Sequence, residues 1–76
     1  MFDQIKTLLI ESFNTPAELI TPSATLDDLG LDSLAAVEFA LVMEKKFEVE
    51  VSDDEVIDLD RLDNIVRLLE RRTAAA

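Results

Sequence analysis

The stretch Leu29-Gly30-Leu31-Asp32-Ser33-Leu34 decides how the rest of the chain is read. Gly30 is the only glycine present, so it marks the cheapest place for a tight or left-handed turn. Asp32 can cap a helix that follows, because its carboxylate accepts from first-turn N–H groups. Ser33 then falls at the helix start, where unpaired N–H groups and the positive end of the helix dipole favour a bound phosphate. Taken as a dipeptide, Asp32-Ser33 reads equally well as an ordinary cap with a spectator serine.

The helix that follows is predicted over residues 33–47. At roughly 100° per residue, Leu34, Val37 and Leu41 fall within about 60° of one another, and Ala36, Phe39, Ala40, Met43 and Phe47 gather on the opposite side. Two apolar stripes on opposite faces cannot both serve one small core. The larger set, with both aromatics, goes inside. Leu34, Val37 and Leu41 are left at the surface between Glu38 and Glu44, an apolar centre with an acidic rim, which is the composition of a protein-docking face. The competing reading has the preceding loop cover the stripe.

Upstream, Phe2, Ile5, Leu8, Leu9 and Phe13 recur at helical spacing, which predicts an amphipathic helix over about 3–14, ended by Asn14 and Pro16. Thr15-Pro16-Ala17-Glu18 has the pattern of a capping box with proline at the first helical position. The rest of 15–32 is a long connection with apolar pegs at Leu19, Ile20, Leu26 and Leu29. Downstream, Glu48-Val49-Glu50-Val51 alternates like a strand but is too short and partnerless to be one. Ser52-Asp53-Asp54-Glu55 is a second capping-box pattern, opening a short helix to about Asp58 with Val56 and Ile57 inward. Asp60 can cap a last helix over 61–72, whose Leu62, Ile65, Val66 and Leu69 form one stripe and whose Arg71 and Arg72 suit its negative end. Residues 73–76 are expected to fray. The expectation is an all-α, four-helix bundle of three main helices, one short helix and a long first loop, as a single domain over 1–76.

Composition removes several chemistries. The 76 residues include no cysteine, hence no disulfide or thiolate ligand, and no histidine, hence no serine triad of the usual kind. No apolar run reaches the ~20 residues of a membrane span, and no signal-peptide pattern opens the chain, which makes a soluble cytoplasmic protein the expectation. Net charge is −10, unfavourable for nucleic acid. All of it lies between Asp27 and Asp63, which hold thirteen acidic and three basic residues, so a basic protein surface is the natural partner. The carboxylates around Asp53 invite a calcium reading, but no window supplies the sixth-position glycine of an EF-hand loop.

Leu29-Gly30-Leu31-Asp32-Ser33-Leu34, followed by Val37-Glu38 and then Glu44 and Phe47, closely resembles the acyl carrier protein family over about Phe2 to Leu69. The resemblance implies that Ser33, with Asp32 in its motif, receives 4′-phosphopantetheine from coenzyme A and carries acyl groups as thioesters on that arm. It implies a monomeric carrier without catalytic residues or metal, modified by a phosphopantetheinyl transferase. Acyltransferases, ketosynthases or related enzymes with basic patches would dock on Leu34, Val37, Glu38, Leu41 and Glu44. It further implies a bundle interior able to shelter the acyl chain, with Phe39, Met43, Val56, Leu59 and Ile65 as wall candidates.

The chain departs from the usual fatty-acid pattern at Ala35, where an acidic residue is common, and at Lys45 and Lys46. These point toward polyketide, antibiotic or other specialised-metabolite assembly beside fatty-acid biosynthesis. Peptidyl carriers typically show Gly-Gly and often His before the serine, where Leu31-Asp32 stands here, yet an aminoacyl cargo stays open. So do two other classes, a calcium-binding acidic module and an interaction domain.

Overall fold

In the computed structural model, which describes residues 1–74 and the side chains of residues 1–73, the chain forms four helices. They are α1 (Phe2–Phe13), α2 (Ser33–Phe47), α3 (Asp53–Leu59) and α4 (Leu62–Ala74). A 3-10 turn, Ala17–Leu19, interrupts the long loop before α2, and no strand occurs among the described residues. The all-α bundle expected from the periodicities is the fold observed. Among the described residues, no helix is long and apolar enough to cross a membrane.

One apolar cluster holds the elements together. It takes Ile5, Leu8 and Leu9 from α1, Ala36, Phe39, Ala40 and Met43 from α2, Val56 from α3, and Leu62, Ile65, Val66 and Leu69 from α4. The Phe13 and Phe39 rings meet edge to face at 5.9 Å between centroids, the geometry favoured by the aromatic quadrupole. Helix α3 packs on both α2 and α4, and α1 packs on α4.

The long loop is pinned at two levels. Ile20, Ala24, Leu26, Leu29 and Leu31 are buried in the same cluster. The backbone is also stitched to the α3–α4 junction: Leu26 N donates to the Asp60 carbonyl and carboxylate, Leu62 N to Ala24 O, and Asp63 N to Pro22 O. These bonds satisfy main-chain groups that burial would otherwise strand.

Five local expectations are corrected. Leu19 is not a peg but 44% exposed, because the 3-10 turn rotates it outward while Ile20 goes in. Thr15 does not cap that turn; its hydroxyl is buried without a partner and Pro16 holds the cap position instead. Ile57 is 41% exposed, since a seven-residue helix lying on two others turns only one narrow face inward, and Val56 occupies it. Asp60 does not cap α4: its backbone turns through φ 60°, which aims the carboxylate at Leu26 N, and the helix starts at Leu62. Thr73 and Ala74 continue α4, with the Thr73 hydroxyl bonded to Leu69 O, and residues 75–76 of the expected frayed tail lie outside the described residues.

Candidate functional site

The turn before α2 is built from its own backbone. Thr25 and Asp28 exchange bonds, Thr25 N to Oδ2 at 3.1 Å and Asp28 N to Oγ1 at 3.2 Å, which starts a single helical turn. Gly30 closes it at φ 74°. Its N–H bonds to Asp27 O and that of Leu31 to Leu26 O, the paired bonds of a glycine-terminated turn, with Leu26 and Leu31 both buried beneath. A Cβ at Gly30 would meet nothing within 4 Å, so glycine is needed there for its backbone angle and not for space.

Leu31 drops into the core and Asp32 comes out extended, its Oδ1 accepting from Ala35 N at 2.8 Å while its carbonyl accepts from Ala36 N. Ser33 is thereby the first residue of α2 and exposed. The N–H groups of Ser33 and Leu34 lie in the first turn and have no intrahelical acceptor. With its carboxylate committed to the cap, Asp32 fixes where the serine stands. Asp32→Ala is expected to lower stability by about 1 kcal/mol, read as a shifted urea midpoint with unchanged slope.

The two stripes of α2 separate as the periodicity requires. Phe39 and Met43 are buried with Ala36 and Ala40, and Phe47 is half-buried. On the other face, Leu34 is 71% and Leu41 52% exposed, Val37 is half-buried and Glu38 exposed, so the preceding loop does not cover this stripe. From Leu34 to Glu44 this face extends about 15 Å along the helix. Glu44 is half-buried and borders an open cleft of about 570 Å³ with Glu50, Val51, Ser52, Glu55 and Arg72, an environment its sequence position did not suggest. Of the wall candidates, Phe39, Met43, Val56 and Ile65 are fully buried, while Leu59 is half-buried and borders a second cleft of about 230 Å³ with Glu55, Asp58 and Leu68. No group of three or more potential ligands among the described residues is placed to hold a metal ion.

The polar clasp at the first cleft has no counterpart in the local sequence patterns. Glu55 accepts from Ser52 N and Oγ in the capping box, and the Arg72 guanidinium forks onto both oxygens of the same carboxylate. Arg72 also donates to Glu50 O at 2.6 Å. The Arg72 hydrogen bonds, with the Ser52 N–H next, hold the Glu55 carboxyl down at about 2, against an ordinary 4.5, and the same pairing raises Arg72. A depressed carboxyl contributes stability above its unfolded pKa and loses it as pH falls through the folded one. The stability difference between the wild type and Glu55→Gln should therefore be full above pH 4.5 and vanish toward pH 2. Because the pair is partly solvated, the difference should be on the order of 1 kcal/mol. Urea melts of both proteins across this range measure it.

The family model described as "Phosphopantetheine attachment site" matches residues 3–69. The chain is 37% identical to the acyl carrier protein of Wolinella succinogenes, over 92% of this chain and 93% of the relative. It is 32% identical to that of Sulfurovum sp. (strain NBC37-1), over 92% and 95%, and 33% to that of Campylobacter jejuni subsp. jejuni (strain 81-176), over 91% of each. Matches of this extent run through the whole bundle as well as the turn before α2, and they mean that the chain belongs to the acyl carrier protein family, with 4′-phosphopantetheine as its expected prosthetic group.

Proposed function

We propose that Ser33 is the residue that takes the 4′-phosphopantetheine arm, and that the chain carries acyl intermediates between enzymes of a biosynthetic pathway. The observation that supports this most directly is the placement of an exposed primary hydroxyl at the first position of α2. The residues present fit the group: a phosphodiester at Ser33 would lie against unpaired first-turn N–H groups at the positive end of a 15-residue helix. When bound, the arm supplies a thiol that this cysteine-free chain lacks, and acyl groups ride on it as thioesters.

The chain's own residues position and present. Asp32 and Gly30 set the serine at the helix start, and the core under Leu31 keeps the turn in place. There is no histidine to activate the hydroxyl, and the carboxylate of the adjoining Asp32 is occupied as a cap, so a base is expected from a transferase that also brings coenzyme A. That enzyme forms the Ser33 O–P bond and breaks the pyrophosphate of coenzyme A, with adenosine 3′,5′-bisphosphate leaving.

Leu34, Val37 and Leu41, bordered by Glu38 and Glu44, are the surface on which the transferase and later acyltransferases or ketosynthases dock through basic patches. Exposed charges are screened within about 10 Å at 0.1 M salt, which keeps such docking transient. As to pathway, Ala35 and the exposed Lys45 and Lys46 leave both ends of α2 less acidic than a fatty-acid carrier usually shows, which supports a dedicated polyketide or other specialised pathway. The two lysines also sit in the last turn of α2, where cations suit the helix dipole whatever the partner.

Incubation with coenzyme A, magnesium and a broad-specificity transferase should add the mass of one phosphopantetheinyl group, seen by intact-protein mass spectrometry. No gain sinks the reading. Equally fast malonyl loading by a fatty-acid malonyltransferase and by a pathway enzyme would remove the support for the specialised pathway alone.

A further inference from the structure

Between Asp27 and Asp63 thirteen carboxylates are accompanied by only three cations, Lys45, Lys46 and Arg61. Arg61 is engaged within the fold, paired with Asp63 at 2.9 Å. Both lysines are exposed, and among the described residues neither forms an ion pair, although Glu44 and Glu48 stand within three residues of each. The helix dipole favours a cation anywhere around the last turn of α2, so it does not select the face on which one stands.

That face separates the two lysines. At ~100° per residue, Leu34, Glu38, Leu41 and Lys45 fall within about 60° of one another, and Lys46 lies about 100° further round, beside the buried side of α2. All four members of the stripe are exposed. Along the axis, at ~1.5 Å per residue, Lys45 stands about 10 Å beyond Glu38 and about 16 Å beyond Leu34. Glu44 lies about 100° to the other side of Lys45 and borders the first cleft. The stripe that begins beside Ser33 thus runs from an apolar side chain through one acid and a second apolar side chain to an unpaired base.

We propose that Lys45 is a specificity-determining residue of this face, fitted to a partner enzyme that offers a cation to Glu38, an apolar socket to Leu34 and Leu41, and a carboxylate to Lys45. This rests on the docking face proposed above and narrows it. A surface that is basic throughout gains at Glu38 and then meets a like charge about 10 Å further on, which rejects it. A surface that matches both charges fixes the direction in which α2 runs across it, and so receives Ser33 at one defined end.

An NMR titration of the unmodified, isotope-labelled chain tests this, with a fatty-acid malonyltransferase whose entrance carries only lysine and arginine as the probe. Lys45→Glu should bind that probe about three- to tenfold more tightly than the wild type at low salt, and lose the gain at about 0.5 M salt. Lys45→Gln, which removes the charge without reversing it, should fall between the two. Lys46→Glu, equal to Lys45→Glu in net charge but off the stripe, should change binding by less than about 1.5-fold. A thermal melt of each variant checks that the fold is kept. No gain for Lys45→Glu and Lys45→Gln, or an equal gain for Lys46→Glu, overturns the proposal, the latter because net charge alone would then decide. Exchanging the probe's entrance cations for glutamate one at a time should yield a variant that binds the wild type more tightly than Lys45→Glu; if none does, the carboxylate partner is wrong. Shifts on α2 amides that are indifferent to Lys45 sink this inference alone, whereas shifts confined to other elements sink the docking face and Lys45 with it.

Discussion

Ser33→Ala is expected to melt with the wild type and to gain no phosphopantetheinyl mass under conditions that convert the wild type completely. On the proposed attachment the expected loss is total, because the substitution removes the hydroxyl to which the arm would be joined and neither chain neighbour replaces it. Leu34 and Leu31 offer no nucleophile, and the Asp32 carboxylate would give a labile acyl phosphate if it reacted at all. Stability should hold within about 0.5 kcal/mol, since the side chain is exposed and Asp32 supplies the cap. Intact mass and a thermal melt on one preparation separate the two properties. Full mass gain on the variant would move the attachment elsewhere.

The second large effect concerns the other face of the same helix. Phe39 is fully buried and packs edge to face on Phe13, so Phe39→Ala should cost about 3–5 kcal/mol. A 76-residue domain has roughly 4–11 kcal/mol in all, so this one change approaches the lower limit of what the fold can lose. The melting temperature should fall by at least about 12 °C, with the chain partly unfolded at 37 °C. Leu41→Ala, two residues along and 52% exposed, should shift stability by no more than about 0.5 kcal/mol. A Leu41→Ala penalty equal to that of Phe39→Ala would reverse the assignment of the two stripes.

What was legible in the sequence was local. The bounds of α2, the Asp32 cap and the Ser52–Glu55 capping box each depend on residues within a turn of one another, and the periodicity of α2 separated its buried from its exposed face. The errors share the opposite cause. Asp60 looked like a cap for the next helix because its true acceptor role is toward Leu26, 34 residues earlier. Thr15 looked like a cap because the pattern of Thr and Glu three apart carries no information about a hydroxyl turned into the core. Ile57 and Leu19 were placed inward by hydrophobicity alone, in elements too short for a period to be measured. Arg72 gave only a helix-dipole signal; its fork onto Glu55 needs two elements brought together by the core. Acidic runs along residues 50–58 were the one available hint that a cation should come from elsewhere.

The stitching of the long loop to residues 60–63 has a consequence for synthesis. Leu26 N finds its acceptors on Asp60, and Ala24 and Pro22 find their donors on Leu62 and Asp63. A nascent chain that has emerged only as far as α3 already displays Asp-Ser-Leu but lacks the hydrogen-bond partners of Pro22, Ala24 and Leu26. The bonds that stitch residues 22–26 to residues 60–63 can close only after the start of α4 leaves the ribosome, so this part of the loop is fixed last although the turn after it closes on its own.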